Sequence, residues 1–422
     1  MSTAELKEAD KQNLEQSGVK PEFEFSVIKK YPKNLKVRGQ LIEKLASEMF
    51  YVDVNASIKE LVDDFNNIPG TQVVAVVKNG KEIVGVVERK RLFNLIAKPF
   101  GRDILENLRI SEILENDVLQ DLVTNIPYFY VERNIFSVVS ELKAALESKD
   151  VIYFMCAKNN KEFAGIFTNI DVLFYLSSIT QTDLATAQQL QNTIVKEKSY
   201  LKEKRFEFVA GSKMAKGVGG DFYIIKNIPD TDKWILSLCD VSGKGVSAAL
   251  VTALLGGLFN IYNFTQGFGS FIKKMNDYIL TSFNMEKYLT GVFLKLDDET
   301  GKVKLFDMGH AYIYVYRNKN LYKFKAHDNN VPIGFVADID PVANQFTLQK
   351  NDILFTLTDG INEQPNSEGT EYGMSRILEI IEKNREKNFE KIIELVFADL
   401  KEFRGYHPQH DDMTILLLKY TG

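Results

Sequence analysis

Four aspartates in the C-terminal half of the chain stand beside glycine-rich or polar turns at the ends of apolar runs. They occur in Gly219-Gly220-Asp221, Leu238-Cys239-Asp240, Leu357-Thr358-Asp359-Gly360 and His410-Asp411-Asp412-Met413. Carboxylates are hard oxygen ligands that suit Mg²⁺ or Mn²⁺, whereas zinc usually takes cysteine or histidine. Two such ions can share a water, lower its pKa and orient a phosphoryl group for in-line attack. The pattern predicts one site for two Mn²⁺ or Mg²⁺ ions.

Many short strand patterns surround these aspartates from residue 206 to residue 420. Two long helical patterns, at residues 245–283 and 373–403, interrupt them. Strands in mostly antiparallel succession with helices grouped between them are typical of an α+β sandwich. We therefore expect two sheets packed face to face, with the helices outside and the aspartates at the strand ends.

A combined signature runs through this half of the chain. It comprises Gly219-Gly220-Asp221-Phe222-Tyr223, Asp240-Val241-Ser242-Gly243-Lys244-Gly245, Gly309-His310, Pro332-Ile333-Gly334, Thr358-Asp359-Gly360 and Asp411-Asp412-Met413-Thr414. In this order the motifs resemble the metal-dependent type 2C (PPM) protein phosphatases, specifically the SpoIIE/RsbU-like branch, over residues 183–419. The resemblance implies a PPM-type β-sandwich flanked by helices that hydrolyses phosphoserine or phosphothreonine in proteins.

The resemblance also implies roles for individual residues. It makes Asp240 the ligand that bridges both ions, with the backbone carbonyl of Val241 beside it. Asp221 would coordinate one of the ions, either directly or through a water. Asp359 and Asp411 complete the other ion, and Asp412 replaces Asp411 if the register of the pair differs. Asp240 and Asp221 are thus the expected catalytic residues.

Further family features are present only in part. The phosphate-binding arginine of eukaryotic relatives has no counterpart before Gly219, which leaves Lys213 and Lys216 as candidates. His310 is expected to be a turn residue that supports the site. The implied substrate is a phosphoprotein such as a phosphorylated anti-sigma-factor antagonist.

Two other enzyme classes are disfavoured by missing motifs. Ser242-Gly243-Lys244-Gly245 lacks the glycine spacing of a P-loop, which argues against a kinase or NTPase. The chain also has no Gly-x-Ser-x-Gly elbow, which argues against a serine hydrolase.

The N-terminal half contains an internal duplication. A strand, helix, strand, strand, helix pattern in residues 51–95 returns after Pro127, and Gly85 and Gly165 occupy the same strand position. This predicts two packed βαββα modules. They resemble a tandem CBS (cystathionine-β-synthase-type) pair, which implies a cleft for an adenine nucleotide with Thr168 and Asp171 as contacts. The alternative is that these two residues form an ordinary capping box.

The segment at residues 182–204 joins the halves. It contains no Pro or Gly, and apolar residues recur at helical spacing among Gln, Lys and Glu. We expect one amphipathic switch helix, whose apolar stripe packs either on the following domain or on a second copy in a homodimer. The expected domains are a flexible tail (1–20), a sensory pair (21–180), this helix (181–204) and the phosphatase domain (205–422).

The composition is that of an ordinary soluble protein. The 422 residues are 45% hydrophobic and 26% charged with a net charge of −5, which argues against nucleic acid as a partner. The N-terminus does not resemble a secretion signal, and no apolar run approaches membrane-span length. The two cysteines lie in apolar runs, as expected of reduced thiols in a cytoplasmic protein.

Together these patterns predict a cytoplasmic, metal-dependent protein phosphatase regulated by a small effector at its N-terminal module. The alternative is a non-catalytic phosphatase-like scaffold that regulates a partner, with a nucleotide-sensing CBS-like module in front.

Overall fold

The computed structural model describes residues 25–33, 37 and 39–422. The expected flexible tail at residues 1–20 lies outside the described residues. The chain divides into two compact units, Met1–Thr180 and Gln181–Gly422. Among the described residues, none of the helices combines the length and apolar character that crossing a bilayer requires.

The α-helices of the described residues are α1 (Ile58–Asn67), α2 (Arg89–Ile96), α3 (Gly101–Leu105), α4 (Ile110–Leu114), α5 (Ile135–Val139), α6 (Lys143–Leu146), α7 (Asn169–Ile194), α8 (Val246–Ile261), α9 (Phe268–Phe283), α10 (Asp359–Asn362), α11 (Met374–Asn384) and α12 (Ile392–Arg404). The strands of the N-terminal unit are β1 (Lys29–Lys30), β2 (Phe50–Asp53), β3 (Val73–Lys78), β4 (Glu82–Glu88), β5 (Val123–Thr124), β6 (Tyr128–Tyr130), β7 (Tyr153–Lys158) and β8 (Glu162–Thr168). Those of the C-terminal unit are β9 (Lys198–Lys202), β10 (Phe206–Lys213), β11 (Asp221–Asn227), β12 (Lys233–Val241), β13 (Leu289–Asp297), β14 (Lys302–Met308), β15 (Ile313–Arg317), β16 (Asn320–Lys323), β17 (Asn344–Thr347), β18 (Ile353–Leu357) and β19 (Met413–Tyr420).

The N-terminal unit contains two copies of the same three-stranded arrangement. In the first copy β2 pairs parallel with β3, and β3 pairs antiparallel with β4. In the second copy β6, β7 and β8 pair in the same way. Gly85 faces Val76 and Gly165 faces Cys156, and in both copies the register shifts just after that pair. The strand pairing agrees with the predicted βαββα duplication, while the relation to CBS modules stays a prediction.

The C-terminal unit is an α+β sandwich of two antiparallel sheets. One sheet has the order β16-β15-β18-β19-β10-β9 and the other β11-β12-β13-β14-β17. Phe208 and Trp234, one from each sheet, meet between them with ring centroids 5.2 Å apart. On the outer faces, α8 and α9 cover the five-stranded sheet, and α11 and α12 cover the six-stranded sheet. Each large side chain buried between these layers stabilises the fold by about 1.5–3 kcal/mol.

The predicted helix at residues 182–204 is wrong in its second half. Helix α7 ends at Ile194, and Lys198–Lys202 forms strand β9, in which Leu201 pairs with Phe208 of β10. Exposure along β9 alternates from one residue to the next, as on a half-buried strand. The sequence pattern misled because Leu201 also falls on the helical stripe. The predicted helical stretch at 245–283 is likewise two helices, α8 and α9, separated by residues 262–267, which include a 3-10 turn.

Candidate active site

Both sheets of the sandwich bring their acidic turns to the same cavity. Asp221 opens β11 and Asp240 lies near the end of β12, and the antiparallel register places these two residues directly opposite each other. In the other sheet, β18 ends just before Thr358 and Asp359, and β19 begins just after Asp411 and Asp412. The acidic turns of the two sheets therefore lie at the same end of the sandwich, while their role as a metal site stays a prediction.

The turns surround an open cavity of about 340 Å³. Its lining residues are Asp240, Val241, Ser242, Gly243, Lys244, Tyr288, Thr290, Gly309, His310, Tyr312, Asp359 and Asp411. Asp221 is not among them: it is 1% exposed and pairs with Asp240 on the neighbouring strand. Three of the four predicted aspartates thus line the cavity, and the fourth is buried beside one of them.

Burial, and then repulsion between neighbouring carboxylates, raises the pKa of the aspartates at this site. Burial, together with the charges of Asp359, Asp411 and Asp412, raises the pKa of Asp240 from 3.8 to about 7. Burial and the charge of Asp240 likewise raise the pKa of Asp221 well above its ordinary value. The surplus of negative charge favours a bound cation.

The pKa of Asp359 is raised by burial first, and then by Asp411 and Glu363. Among the described residues, no group of three or more His, Cys, Asp or Glu side chains is arranged to hold a metal ion by itself. The aspartates therefore interact through their charges without forming a complete ligand set. Mg²⁺ usually keeps several waters and takes only one or two carboxylates, which fits such a loose arrangement. Metal binding by these residues stays a prediction.

The neighbouring aspartates Asp411 and Asp412 have different environments and different contacts. The Asp411 carboxylate lines the cavity and forms an ion pair with Lys244, with Nζ and Oδ2 2.8 Å apart. Asp412 is buried and accepts hydrogen bonds from the backbone N–H groups of Ala215 and Gly220, each 2.7 Å long. It thereby fixes the turn before Asp221. A Cβ on Gly219 would lie 2.0 Å from Asp412 Oδ2, so this turn requires glycine.

Thr358 links the acidic turns of the two sheets. Its hydroxyl donates a 2.9 Å hydrogen bond to Asp221 Oδ2 and accepts one of 2.9 Å from the backbone N–H of Thr414. Thr358 is fully buried, so water does not replace these bonds. Sequence reasoning did not single out this residue, although its position directly before Asp359 was a usable signal.

His310 provides a second link between the sheets. Its Nε2 lies 2.9 Å from the carbonyl oxygen of Leu357, and its Nδ1 lies 3.1 Å from Thr290 Oγ1. Because a carbonyl only accepts, Nε2 carries the proton and Nδ1 accepts from the threonine hydroxyl. Thr290 pairs directly with Asp240 on the neighbouring strand. The predicted supporting role of His310 therefore has a definite geometry, in which it ties the strand before Asp359 to the strand beside Asp240.

The cation at the cavity is Lys244. Its ammonium is 2.8 Å from both Asp411 Oδ2 and the carbonyl oxygen of His410. The two expected phosphate-binding lysines lie elsewhere: Lys213 stacks on the ring of Phe397, and neither Lys213 nor Lys216 lines the cavity. Sequence reasoning included Lys244 in the combined signature and in the rejected P-loop but gave it no role of its own, although it lies between Asp240 and the start of α8.

In the N-terminal unit, Thr168 and Asp171 form a reciprocal capping arrangement. The hydroxyl and backbone N–H of Thr168 each donate to Asp171 Oδ2 at 2.7 Å, and the Asp171 N–H returns a 3.1 Å bond to Thr168 Oγ1. Ser47 Oγ donates a further bond of 2.8 Å to the same carboxylate oxygen. Glu48 lies close enough for the Asp171 charge, after burial, to raise its pKa. The observed contacts are those of the alternative reading, the capping box.

Comparison with known proteins finds a family model that matches residues of the C-terminal unit. Residues 230–421 match the family model described as "Stage II sporulation protein E (SpoIIE)". The chain is 20% identical over 240 residues to "Phosphoserine phosphatase RsbU" of Bacillus subtilis, covering 57% of this chain and 70% of that protein. It is 21% identical over 207 residues to "Phosphoserine phosphatase RsbP" of the same organism, covering 48% of this chain and 49% of that protein.

Among solved structures, the SiaA PP2C domain of Pseudomonas aeruginosa superimposes with a TM-score of 0.47 at 19% identity, covering 58% of this chain and 98% of that one. The family match includes Asp240, Asp359 and Asp411, and it begins nine residues after Asp221. Strand pairing with Asp240 brings Asp221 to the same site. The part of the chain that carries Asp240, Asp359 and Asp411 is therefore similar to the SpoIIE family.

Proposed function

We propose that this chain is a divalent-metal-dependent phosphatase of phosphoserine and phosphothreonine in proteins, regulated by its N-terminal unit. The observation that carries the proposal is the Asp240 cluster, where burial and neighbouring carboxylates raise the pKa of Asp240 to about 7 at the wall of an open cavity. A bound cation would offset the repulsion between these carboxylates and so stabilise their charged forms.

Asp240, Asp359 and Asp411 would hold two Mn²⁺ or Mg²⁺ ions, with the carbonyl of Val241 beside them and Asp221 acting directly or through water. When bound, the ions would supply positive charge to the phosphoryl group and activate the attacking water. Oxygen-only donors with few histidines fit such hard ions.

The remaining lining residues have roles that follow from their contacts. Lys244 offers its ammonium to the phosphate at the cavity wall, and is the counterpart that Lys213 and Lys216 do not provide. The aromatic rings of Tyr288 and Tyr312 flank the opening, where they can pack against the peptide on either side of the phosphorylated residue. A phosphorylated anti-sigma-factor antagonist is the substrate class that we propose.

Hydrolysis of p-nitrophenyl phosphate and of a phosphoserine peptide tests the proposal. Activity should require Mn²⁺ or Mg²⁺, stop with EDTA and return when metal is restored. Asp240→Asn should lose nearly all activity, whereas Asp328→Asn, at an exposed loop position, should keep it. Full activity in Asp240→Asn, or none with either metal in the parent, would contradict the proposal.

Regulation through α7 is supported by one side chain. Gln191 is buried near the end of this helix, and its Nε2 donates bonds of 2.7 Å to Gly219 O and 2.8 Å to Thr252 Oγ1. Its Oε1 accepts a 3.0 Å bond from the Gly219 N–H. Because Gly219 lies in the turn that leads to Asp221, a shift of α7 would move that turn. We propose that the helix has two packings, which stabilise different arrangements of the acidic turns.

An adenine nucleotide is the proposed effector of the N-terminal unit. Contact through Thr168 and Asp171 requires the ligand to compete with the bonds that these residues make with each other. Titration of AMP and ATP into the full chain, with Asp171→Asn as the variant, tests this site. If the parent and the variant bind the nucleotides with equal affinity, Asp171 is not part of the nucleotide site.

A further inference from the structure

The outer face of the five-stranded sheet is covered by helices over only part of its length. Phe259 of α8 and Phe268 of α9 pack on Phe293, in the middle of β13. Beyond them, at the end of the sheet away from Asp240, lies an open groove of about 460 Å³. Its lining residues are Lys233, Lys295, Leu296, Asp297, Lys302, Val303, Lys304, Gln345, Phe346 and Thr347. We call this the lysine groove.

The lysine groove brings positively charged side chains close enough to repel one another. The strand register places Lys295 directly opposite Lys304, and Lys233 and Lys302 lie two positions along their strands, on the same side of this pair. Like charges directly opposite each other destabilise a sheet. Burial, and then the charges of Lys233 and Lys304, lower the pKa of Lys295. Solubility alone does not require lysines to face each other in this way.

The groove contains one acid, Asp297, which lies directly opposite Lys233. Its bonds to Thr300, and then the charges of Lys233 and Lys302, lower its pKa, so one carboxylate faces four lysines. Asp297 Oδ1 accepts hydrogen bonds from Thr300 N at 2.9 Å and from Thr300 Oγ1 at 2.7 Å. In the described part of the chain, none of the four lysines takes part in a salt bridge. The groove therefore keeps a surplus of positive charge in a protein whose net charge is −5.

We propose that the lysine groove binds a small polyphosphate anion, either free pyrophosphate or the phosphate chain of a nucleotide. Lysine ammonium groups are compact cations that bind phosphate well, and an anion between Lys295 and Lys304 would replace their repulsion with attraction. The volume falls within the range of small-molecule pockets.

The lysine groove is separate from the catalytic cavity. Lys233 and Asp240 lie toward opposite ends of the same strand, β12, and the two cavities share no lining residue. The proposal therefore does not depend on the proposed phosphatase function. Binding is measured without metal, so loss of catalysis does not affect the result.

Titration of the full chain with pyrophosphate in EDTA tests the proposal, by calorimetry and by fluorescence. Trp234 is the only tryptophan in the sequence and follows Lys233 directly, so its emission reports on this end of β12. We expect saturable binding at one site that weakens as salt is added. Parallel titrations with ATP and AMP use the Asp171→Asn chain, so that the proposed nucleotide site of the N-terminal unit does not contribute. In that chain, tighter binding of ATP than of pyrophosphate indicates a nucleotide, and equal affinity indicates the phosphate chain alone.

The double variant Lys295→Gln/Lys304→Gln should bind pyrophosphate at least ten-fold more weakly. The matched control, Lys319→Gln/Lys387→Gln, removes the same charge from exposed positions elsewhere and should bind like the parent. The groove variant should melt at or above the temperature of the parent, because one repulsive pair is gone. The absence of saturable binding, equal affinity in the groove variant and the parent, or the same loss in both double variants would overturn the proposal.

Discussion

Replacing Asp240 with Asn should stabilise the metal-free protein at neutral pH, although it removes a residue central to the site. In the folded protein the Asp240 carboxyl group is half-buried and faces the charges of Asp359, Asp411 and Asp412, and Lys244 offsets only part of this repulsion. Asparagine has nearly the same shape and carries no charge. The substitution therefore removes a repulsion without opening a cavity.

The size and direction of the effect follow from the pKa. Burial and neighbouring carboxylates raise the pKa of Asp240 from 3.8 to about 7, so between these pH values the folded state binds a proton that the unfolded state has released. Stability therefore falls as pH rises from about 4 to about 7 and is then level. The full difference corresponds to about 4 kcal/mol, an upper figure because the carboxylates titrate together.

Thermal unfolding in EDTA between pH 4 and pH 8 measures this effect. The parent should lose stability with rising pH, and Asp240→Asn should lose much less, so that at pH 8 the variant melts higher by up to the order of 10 °C. The two proteins should converge near pH 4, and Asp328→Asn should follow the parent throughout. With Mn²⁺ present, the parent should gain more stability than Asp240→Asn. A variant that is less stable than the parent at pH 8 in EDTA would refute the electrostatic reasoning.

Three further substitutions test separate contacts. Lys244→Gln removes the ammonium at the cavity wall and should raise KM for a phosphoserine peptide about ten-fold, the effect of about 1.4 kcal/mol, in steady-state assays with saturating Mn²⁺; an unchanged KM would count against phosphate contact. His310→Ala breaks both links of a buried ring and should lower the free energy of unfolding by about 1–3 kcal/mol in urea titrations, together with activity, and no loss of stability would show that these links are dispensable. Gln191→Ala should leave buried polar groups of Gly219 unpaired and change the ratio of full-chain activity with and without effector, whereas Gln188→Ala, one turn earlier, should not.

The parts of the site that could be predicted were those with a local pattern. Each acidic turn ends or begins an apolar run, so the positions of Asp221, Asp240, Asp359 and Asp411 at strand ends followed from neighbouring residues. The choice between Asp411 and Asp412 did not, because it depends on which carboxylate meets Ala215 and Gly220 from a distant part of the chain.

Other features depended on pairing between distant segments. Leu201 fits a helical stripe and an alternating strand equally well, and its pairing with Phe208 decides the outcome. Lys244 meets the carbonyl of His410 although 166 positions separate them. The lysine groove was equally hidden, since Lys295 and Lys304 become neighbours only through the strand register.

The carboxylates that line the cavity come from both sheets of the sandwich, Asp240 from the five-stranded sheet and Asp359 and Asp411 from the ends of strands in the six-stranded sheet. Neither half holds enough of the site to work alone. The complete site therefore requires both sheets to be packed together, and the hydrogen bonds of Thr358 and His310 connect them. Substitutions that break these contacts should therefore lower activity even though they leave every acidic group in its own strand.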